Sequence, residues 1–164
     1  MTDTNKPPIN VLFVCTGNIC RSPMAEGLFR HHVRDRFDIQ VESAGLSAFD
    51  GEPPSPHAVQ VMSEIGVDIS GQRSRLLDSW LIDQSDYIFV MTRTHQSAIG
   101  RMRPTAAEKT FLVKEFLGSS DSPDVADPIG FGISTYRSCR DEIAAALPSL
   151  LEFIEKTRSA DETI

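Results

Sequence analysis

Along the chain, short continuous apolar runs alternate with longer stretches in which apolar positions recur every three or four residues. Val11-Leu12-Phe13-Val14 is apolar throughout and rich in β-branched and aromatic residues, and predicts a buried strand. Met24, Leu28, His31 or His32, and Val33 then repeat at helical spacing, with Arg30, Arg34, Asp35 and Arg36 opposite, so Pro23 to about Arg36 predicts an amphipathic helix. Ser22 is expected as its N-cap and Pro23 as its first residue. Phe37 to Glu42 alternates like a second strand. Ser55-Pro56 opens a helix with the stripe Val59, Met62 and Ile65, which Gly66 stops, and Leu76 to Ile82 predicts another, with Trp80 assigned to core packing. Asp86 to Met91 is apolar enough for a strand covered on both faces. Thr92 caps a helix to Met102 that Pro104 ends, and Lys109 to Val113 predicts a short fourth strand. From Ile133, the positions Tyr136, Ile143, Leu147, Leu150, Leu151 and Ile154 mark a long final helix, disturbed at Pro148, with Cys139 a packed thiol. This order predicts a single α/β domain, a central four-stranded parallel sheet with helices on both faces in the doubly wound manner. The expected boundaries are a flexible tail over 1–8, a domain over 9–157 and a second tail over 158–164.

The first strand feeds a loop, Cys15-Thr16-Gly17-Asn18-Ile19-Cys20-Arg21-Ser22-Pro23, that leads into the first helix. Such a loop presents successive backbone N–H groups and the positive end of a helix dipole to one point, which is how proteins cradle phosphate. A thiol stands at its entrance and a guanidinium at its exit, in the spacing Cys-x5-Arg-Ser. Facing those donors, Cys15 is expected to be a stabilised thiolate and a nucleophile, while Arg21 can hold two phosphoryl oxygens. The alternative for Cys15 alone is a buried thiol at a strand end. A nucleotide-binding Walker loop is excluded, because no Gly-Lys-Ser/Thr is present.

Composition narrows the partners. The chain has 164 residues, enough for a substantial core, and a formal net charge of -7, which argues against nucleic acid or an anionic membrane as partner. A local anion site survives this, because Arg21 and the loop amides set its field at short range. Three cysteines, an odd number in no zinc-ligand spacing, suggest a reducing compartment. Met1 to Asn10 is polar and the following apolar run is too short for a signal h-region or a membrane span, so a soluble cytoplasmic protein is expected. His31, His32 and His57 are assigned to the surface, with no metal and no cofactor expected.

The string Val14-Cys15-Thr16-Gly17-Asn18-Ile19-Cys20-Arg21-Ser22-Pro23-Met24-Ala25-Glu26, with Ser43-Ala44-Gly45 and Asp127-Pro128 downstream, resembles the low-molecular-weight protein tyrosine phosphatases from about Ile9 to Lys156. The resemblance implies a metal-independent phosphomonoester hydrolase acting on phosphorylated proteins and releasing inorganic phosphate. Cys15 would form a phosphocysteine, the amides of Thr16 to Ser22 and the Arg21 side chain would bind the phosphoryl oxygens, and Asp127 would serve as general acid and then base. Asp124 is the local alternative to Asp127. Ser22 resembles the residue that donates to the thiolate, Asn18 the one that holds the strained loop, and Ser43 a supporting serine whose other reading is an ordinary turn residue. Cys20 matches a thiol that can pair with the nucleophile under oxidants, or simply packs. Phe49 matches an aromatic wall of the substrate cleft, or folds back onto the core.

Two departures bear on the substrate. Asp127-Pro128 is followed by Ile129-Gly130-Phe131 in place of the two adjacent aromatics of many tyrosine-specific relatives, so Ile129 and Phe131 are the expected pocket wall with one aromatic displaced. The chain also resembles a bacterial branch that hydrolyses phosphoarginine, in Ser-Pro-His-Ala-Val and Asp-Pro-x-Gly, yet that branch carries Thr where this chain has Ile19. An apolar Ile19 suits an aryl ester, so phosphotyrosine is the expected substrate and phosphoarginine the alternative. Arsenate reduction, which needs further resolving cysteines, and an inactive phosphate-binding module are the remaining readings. A monomer is expected.

Overall fold

The computed structural model describes residues 5–118 and 122–161. The segments expected as tails fall partly outside these residues, at 1–4 and 162–164, as does 119–121 of the loop before Asp127. Four strands form one parallel sheet: β1 (Ile9–Cys15), β2 (Ile39–Gly45), β3 (Tyr87–Val90) and β4 (Thr110–Leu112), in the order β2-β1-β3-β4. The helices are α1 (Arg21–His32), α2 (Pro56–Ser63), α3 (Ser79–Gln84), α4 (Arg93–Met102) and α5 (Ile133–Asp161). Short 3₁₀ turns at Pro104–Lys109 and Val113–Leu117 flank β4. Residues 158–161, expected as tail, continue the last helix. Among the described residues no helix is long and apolar enough to cross a membrane.

Because successive strand residues point to opposite faces, each central strand supplies two cores. Val11, Phe13, Phe89 and Met91 face α1, α2 and α5, meeting Met24, Phe29, Met62, Ile143 and Leu150. Leu12, Val14, Ile88 and Val90 face the other way, onto Leu81, Ile82 and Ile99 of α3 and α4. The chain goes from β1 outward to β2 and then returns past β1 to β3, so the segments leaving β1 and β3 depart to opposite faces. The crevice between them is where ligands bind in open parallel sheets. Cys15 ends β1 at this crevice, in register with Gly45 of β2.

Several local expectations need correction. α1 begins at Arg21 with Cys20 in the N-cap position and no side-chain cap, because the Ser22 hydroxyl is turned to the Cys15 sulfur. It ends at His32, and Arg36 instead pairs with Asp38 and Glu155. Ile65 lies beyond the end of α2 and is exposed, the buried positions being Ala58, Val61 and Met62. Phe37 precedes β2 and is exposed. Leu76 is not helical but pairs with Gly45 as a single bridge, and α3 starts after the Asp78 cap. Trp80 is 61% exposed, with Arg75 over its ring, and takes no part in the core.

The contrast between aromatics is testable. Phe89 is fully buried and touches the rings of Phe13, Tyr87, Phe111 and Phe116. Phe89→Ala should cost about 3–5 kcal/mol in denaturant unfolding, whereas Trp80→Ala should cost less than about 1 kcal/mol.

Candidate active site

The loop after β1 holds its carbonyls outward. The Cys15 carbonyl accepts from Leu46 N–H (3.0 Å), Thr16 from Ser47 (2.9 Å), Ile19 from Ser55 (2.8 Å) and Cys20 from Met24 (3.2 Å). In a planar trans peptide the N–H points opposite to the C=O, so the amides that follow these carbonyls turn toward the inside of the loop. The loop closes this tightly because Asn18 takes a left-handed conformation (φ 56°), the one non-glycine residue with positive φ among those described. Gly45 permits the approach of β2: a Cβ there would lie 2.6 Å from the Thr16 carbonyl oxygen and 2.9 Å from the Asn18 nitrogen.

Hydrogen bonding fixes the direction of each proton in the supporting network. Arg75 N–H can only donate, and it donates to Asn18 Oδ1 (2.9 Å). Asn18 Nδ2 is therefore the donor to both Ser22 Oγ (2.7 Å) and Ser43 Oγ (2.9 Å). Each serine then directs its own proton onward, Ser22 to Cys15 Sγ (2.9 Å) and Ser43 to Glu26 Oε1 (3.0 Å). Asn18 N–H points at Cys15 Sγ from 3.3 Å. Ser43 is thus part of the network and not an ordinary turn serine. Glu26, quoted above only as the end of the motif, closes the network; burial pushes its carboxyl up, against the pull of Arg30 and Ser43.

Arg21 is buried, donating from Nη1 to the Val125 carbonyl (2.9 Å), with Nη2 3.6 Å from Asp127 Oδ2. Val125 also donates its N–H to the Met91 carbonyl (2.8 Å), which staples the 122–132 segment to the end of β3. Asp127 remains 45% exposed at the mouth of the loop. The two carboxylates of this segment are sorted by their partners, since Asp124 accepts the Arg93 N–H at the start of α4 (2.8 Å). After Asp127, Phe131 N–H bonds the Pro128 carbonyl (3.0 Å), with Gly130 at φ 81°, a turn that needs glycine at its third position. It leaves Ile129 and Phe131 exposed at 52% and 63%.

Phe49 is 81% exposed and does not fold onto the core. With Ile19, Pro53, Pro54 and Pro56 it lines a cleft of about 540 Å³ beside Gly17. Cys20 is a free buried thiol whose sulfur faces Tyr136 Oη (3.4 Å) and Ser55 Oγ (3.5 Å), and burial pushes it up from the ordinary thiol value. The same burial pushes Tyr136 up to about 12.

One residue of the site went unread in the sequence. His95, in the first turn of α4, is 4% exposed, with Nε2 2.8 Å from Thr16 Oγ1 and Nδ1 without a partner among the described residues. Burial, and then the Arg21 charge, lower it to about 4, with Asp124 and Asp127 opposing. Its only signal is position, at the carboxyl end of a central strand next to β1.

A thiol under hydroxyl and amide donors, an arginine and an exposed carboxylate at a helix N-terminus define a cysteine-dependent phosphatase on a doubly wound sheet. The model of the low molecular weight phosphotyrosine protein phosphatase family matches residues 10–160, and the chain belongs to that family. It is 38% identical to a protein-arginine-phosphatase of Geobacillus stearothermophilus, over 90% of this chain and 97% of that one. It is 31% identical to the low molecular weight protein-tyrosine-phosphatase PtpA of Staphylococcus aureus, over 94% of this chain and 99% of that one. The solved structure of the YwlE arginine phosphatase from Geobacillus stearothermophilus superposes with a TM-score of 0.83 at 37% identity, covering 93% and 97% of the two chains.

Two outcomes test the site's construction. Gly45→Ala should lower stability by about 1–3 kcal/mol and weaken competitive inhibition by inorganic phosphate, read by thermal unfolding and steady-state kinetics. For His95, the folded protein keeps the imidazole neutral down to about pH 4, while the ordinary value is 6.5. Stability should therefore fall, by on the order of 3 kcal/mol, as pH drops from 6.5 through 4, and His95→Gln should flatten that fall in urea titrations.

Proposed function

We propose that this phosphatase removes phosphate from tyrosine side chains of phosphorylated proteins through a phosphocysteine on Cys15. The observation that carries the reading is the convergence of three features at the N-terminus of α1: a thiol held by Ser22 and Asn18, inward-turned amides, and Arg21 facing Asp127. The Cys15 sulfur attacks phosphorus while the amides of Thr16 to Ser22 and the Arg21 guanidinium take up charge on the equatorial oxygens. Asp127 gives its proton to the leaving oxygen, and as carboxylate it then takes one from the water that releases inorganic phosphate. Ser22 donates to the sulfur as it leaves, and Asn18 and Ser43 keep the loop in shape. Cys20 lies five residues from Cys15 in the same loop, and both are free buried thiols, which supports a second task for Cys20 as resolving thiol under oxidants. Free thiols at Cys15, Cys20 and Cys139 support a reducing, cytoplasmic working compartment, with the protein acting as a monomer on phosphoproteins.

The tyrosine preference rests on the cleft wall. Ile19, Phe49 and three prolines offer apolar surface to a flat leaving group, Ile129 and Phe131 add exposed apolar surface just after Asp127, and Ile19 has no hydroxyl to engage a guanidinium. The second reading, phosphoarginine, is favoured by the higher identity to relatives named protein-arginine-phosphatase. Identity over a whole chain weights the core, however, whereas a leaving group is read by a few wall residues.

Side-by-side phosphate release from phosphotyrosine and phosphoarginine peptides, with Cys15→Ser as blank, should favour phosphotyrosine, and Ile19→Thr should erode that preference. A wild-type preference for phosphoarginine would show that the remaining pocket outweighs Ile19. Asp127→Asn should lower kcat about 10²–10³-fold for a poor aryl leaving group and far less for a good one. An equal loss for both would remove Asp127 from the acid role.

A further inference from the structure

Thr16 directly follows the nucleophile, and its side chain is exposed at the rim of the loop while His95 lies buried behind it. The contact between Thr16 Oγ1 and His95 Nε2 is short, 2.8 Å, and a hydroxyl carries one proton, so the imidazole decides where that proton goes. His95 is on α4 and Thr16 is on the loop after β1, so the pair bridges the crevice between the two departing segments. The charged groups that act on the imidazole are Arg21, Asp124 and Asp127. Burial and Arg21 keep it neutral, with a single N–H to place.

The two neutral tautomers leave different groups stranded. If the proton sits on Nδ1, a buried N–H has no partner among the described residues and the Thr16 hydroxyl is spent as a donor to Nε2. If it sits on Nε2, the stranded group is an acceptor, which buried structure tolerates more readily than an orphaned donor. The positive end of α4 and the nearby Arg21 also favour a lone pair on the buried nitrogen.

Building on the phosphatase reading above, we propose that His95 is a positioning residue whose Nε2–H donates to Thr16 Oγ1, leaving the Thr16 hydroxyl proton free to donate to a phosphoryl oxygen seated on the loop. The cradle then holds a side-chain donor at its first residue, in addition to the backbone amides and Arg21. A hydrogen bond to a charged oxygen corresponds to roughly tenfold to a hundredfold in affinity. His95 touches neither substrate nor sulfur; it acts through Thr16.

The test is a mutant cycle on the full chain, read as kcat/KM for an aryl phosphate and as the inhibition constant of inorganic phosphate. Thr16→Val and His95→Leu should each weaken phosphate inhibition about tenfold or more, the double variant should be no worse than either single one, and His95→Gln, which keeps an N–H donor, should recover most of the loss. A His95→Leu effect of the same size with and without Thr16→Val overturns the proposal, as does a folded His95→Gln that recovers nothing. Should His95→Leu not fold, nitrogen NMR of histidine-labelled wild type reads the tautomer directly: a protonated Nε2 supports the proposal and a protonated Nδ1 overturns it. A wild-type protein that binds phosphate with these couplings but releases none from any phosphoester would overturn the phosphatase reading and leave the His95 assignment standing.

Discussion

A left-handed asparagine whose carboxamide makes three hydrogen bonds holds this site together. Turning the loop amides inward requires the tight turn at Asn18, a conformation that costs an L-residue on the order of 1–2 kcal/mol. The carboxamide offsets that cost by joining α1 through Ser22, β2 through Ser43 and the segment before α3 through the Arg75 backbone. Releasing it would strand groups on each of those elements, and a buried group left without its partner costs more than the bond itself contributes. Strain in the loop and order around it are therefore one arrangement, and the Cys15 sulfur is its beneficiary.

The sheet supplies what the loop cannot. With the order β2-β1-β3-β4, β1 is flanked on both sides, so the loop after it is braced by the end of β2 on one side and approached by the start of α4 on the other. The missing Cβ of Gly45 lets β2 close against the Thr16 carbonyl, and Val125 ties the distal Asp127 segment to both β3 and Arg21. A carboxylate more than a hundred residues along the chain from the thiol thus reaches the mouth of its loop from a segment held at Val125 and at Asp124. There it stays 45% exposed to solvent beside Arg21.

The layout of strands was legible because continuous apolar runs such as Val11 to Val14 and Ile88 to Met91 demand burial on both faces. The thiol, guanidinium and donors were legible for a different reason: they lie within one short stretch where spacing alone sets geometry. Ser22 does not cap the helix as a serine before proline usually does, because its hydroxyl faces the sulfur, and the helix start has no side-chain cap. The place of Trp80 is not legible, because a large apolar side chain in a short helix has no periodicity to say which face it takes, and it stands exposed under Arg75. His95 and the Arg75 backbone were out of reach, since each joins the site through strand order and register, which no local pattern encodes.

Covalent phosphoryl transfer to Cys15 is the claim on which the rest depends. The direct measurement is to mix Asp127→Asn protein with an aryl phosphate, quench rapidly, digest and locate added phosphoryl mass on peptides. The account predicts the mass of one phosphoryl group on Cys15, formed faster than it is lost because the base for the second step is missing. A phosphoryl group found on another residue, or turnover with no adduct at any quench time, would contradict it.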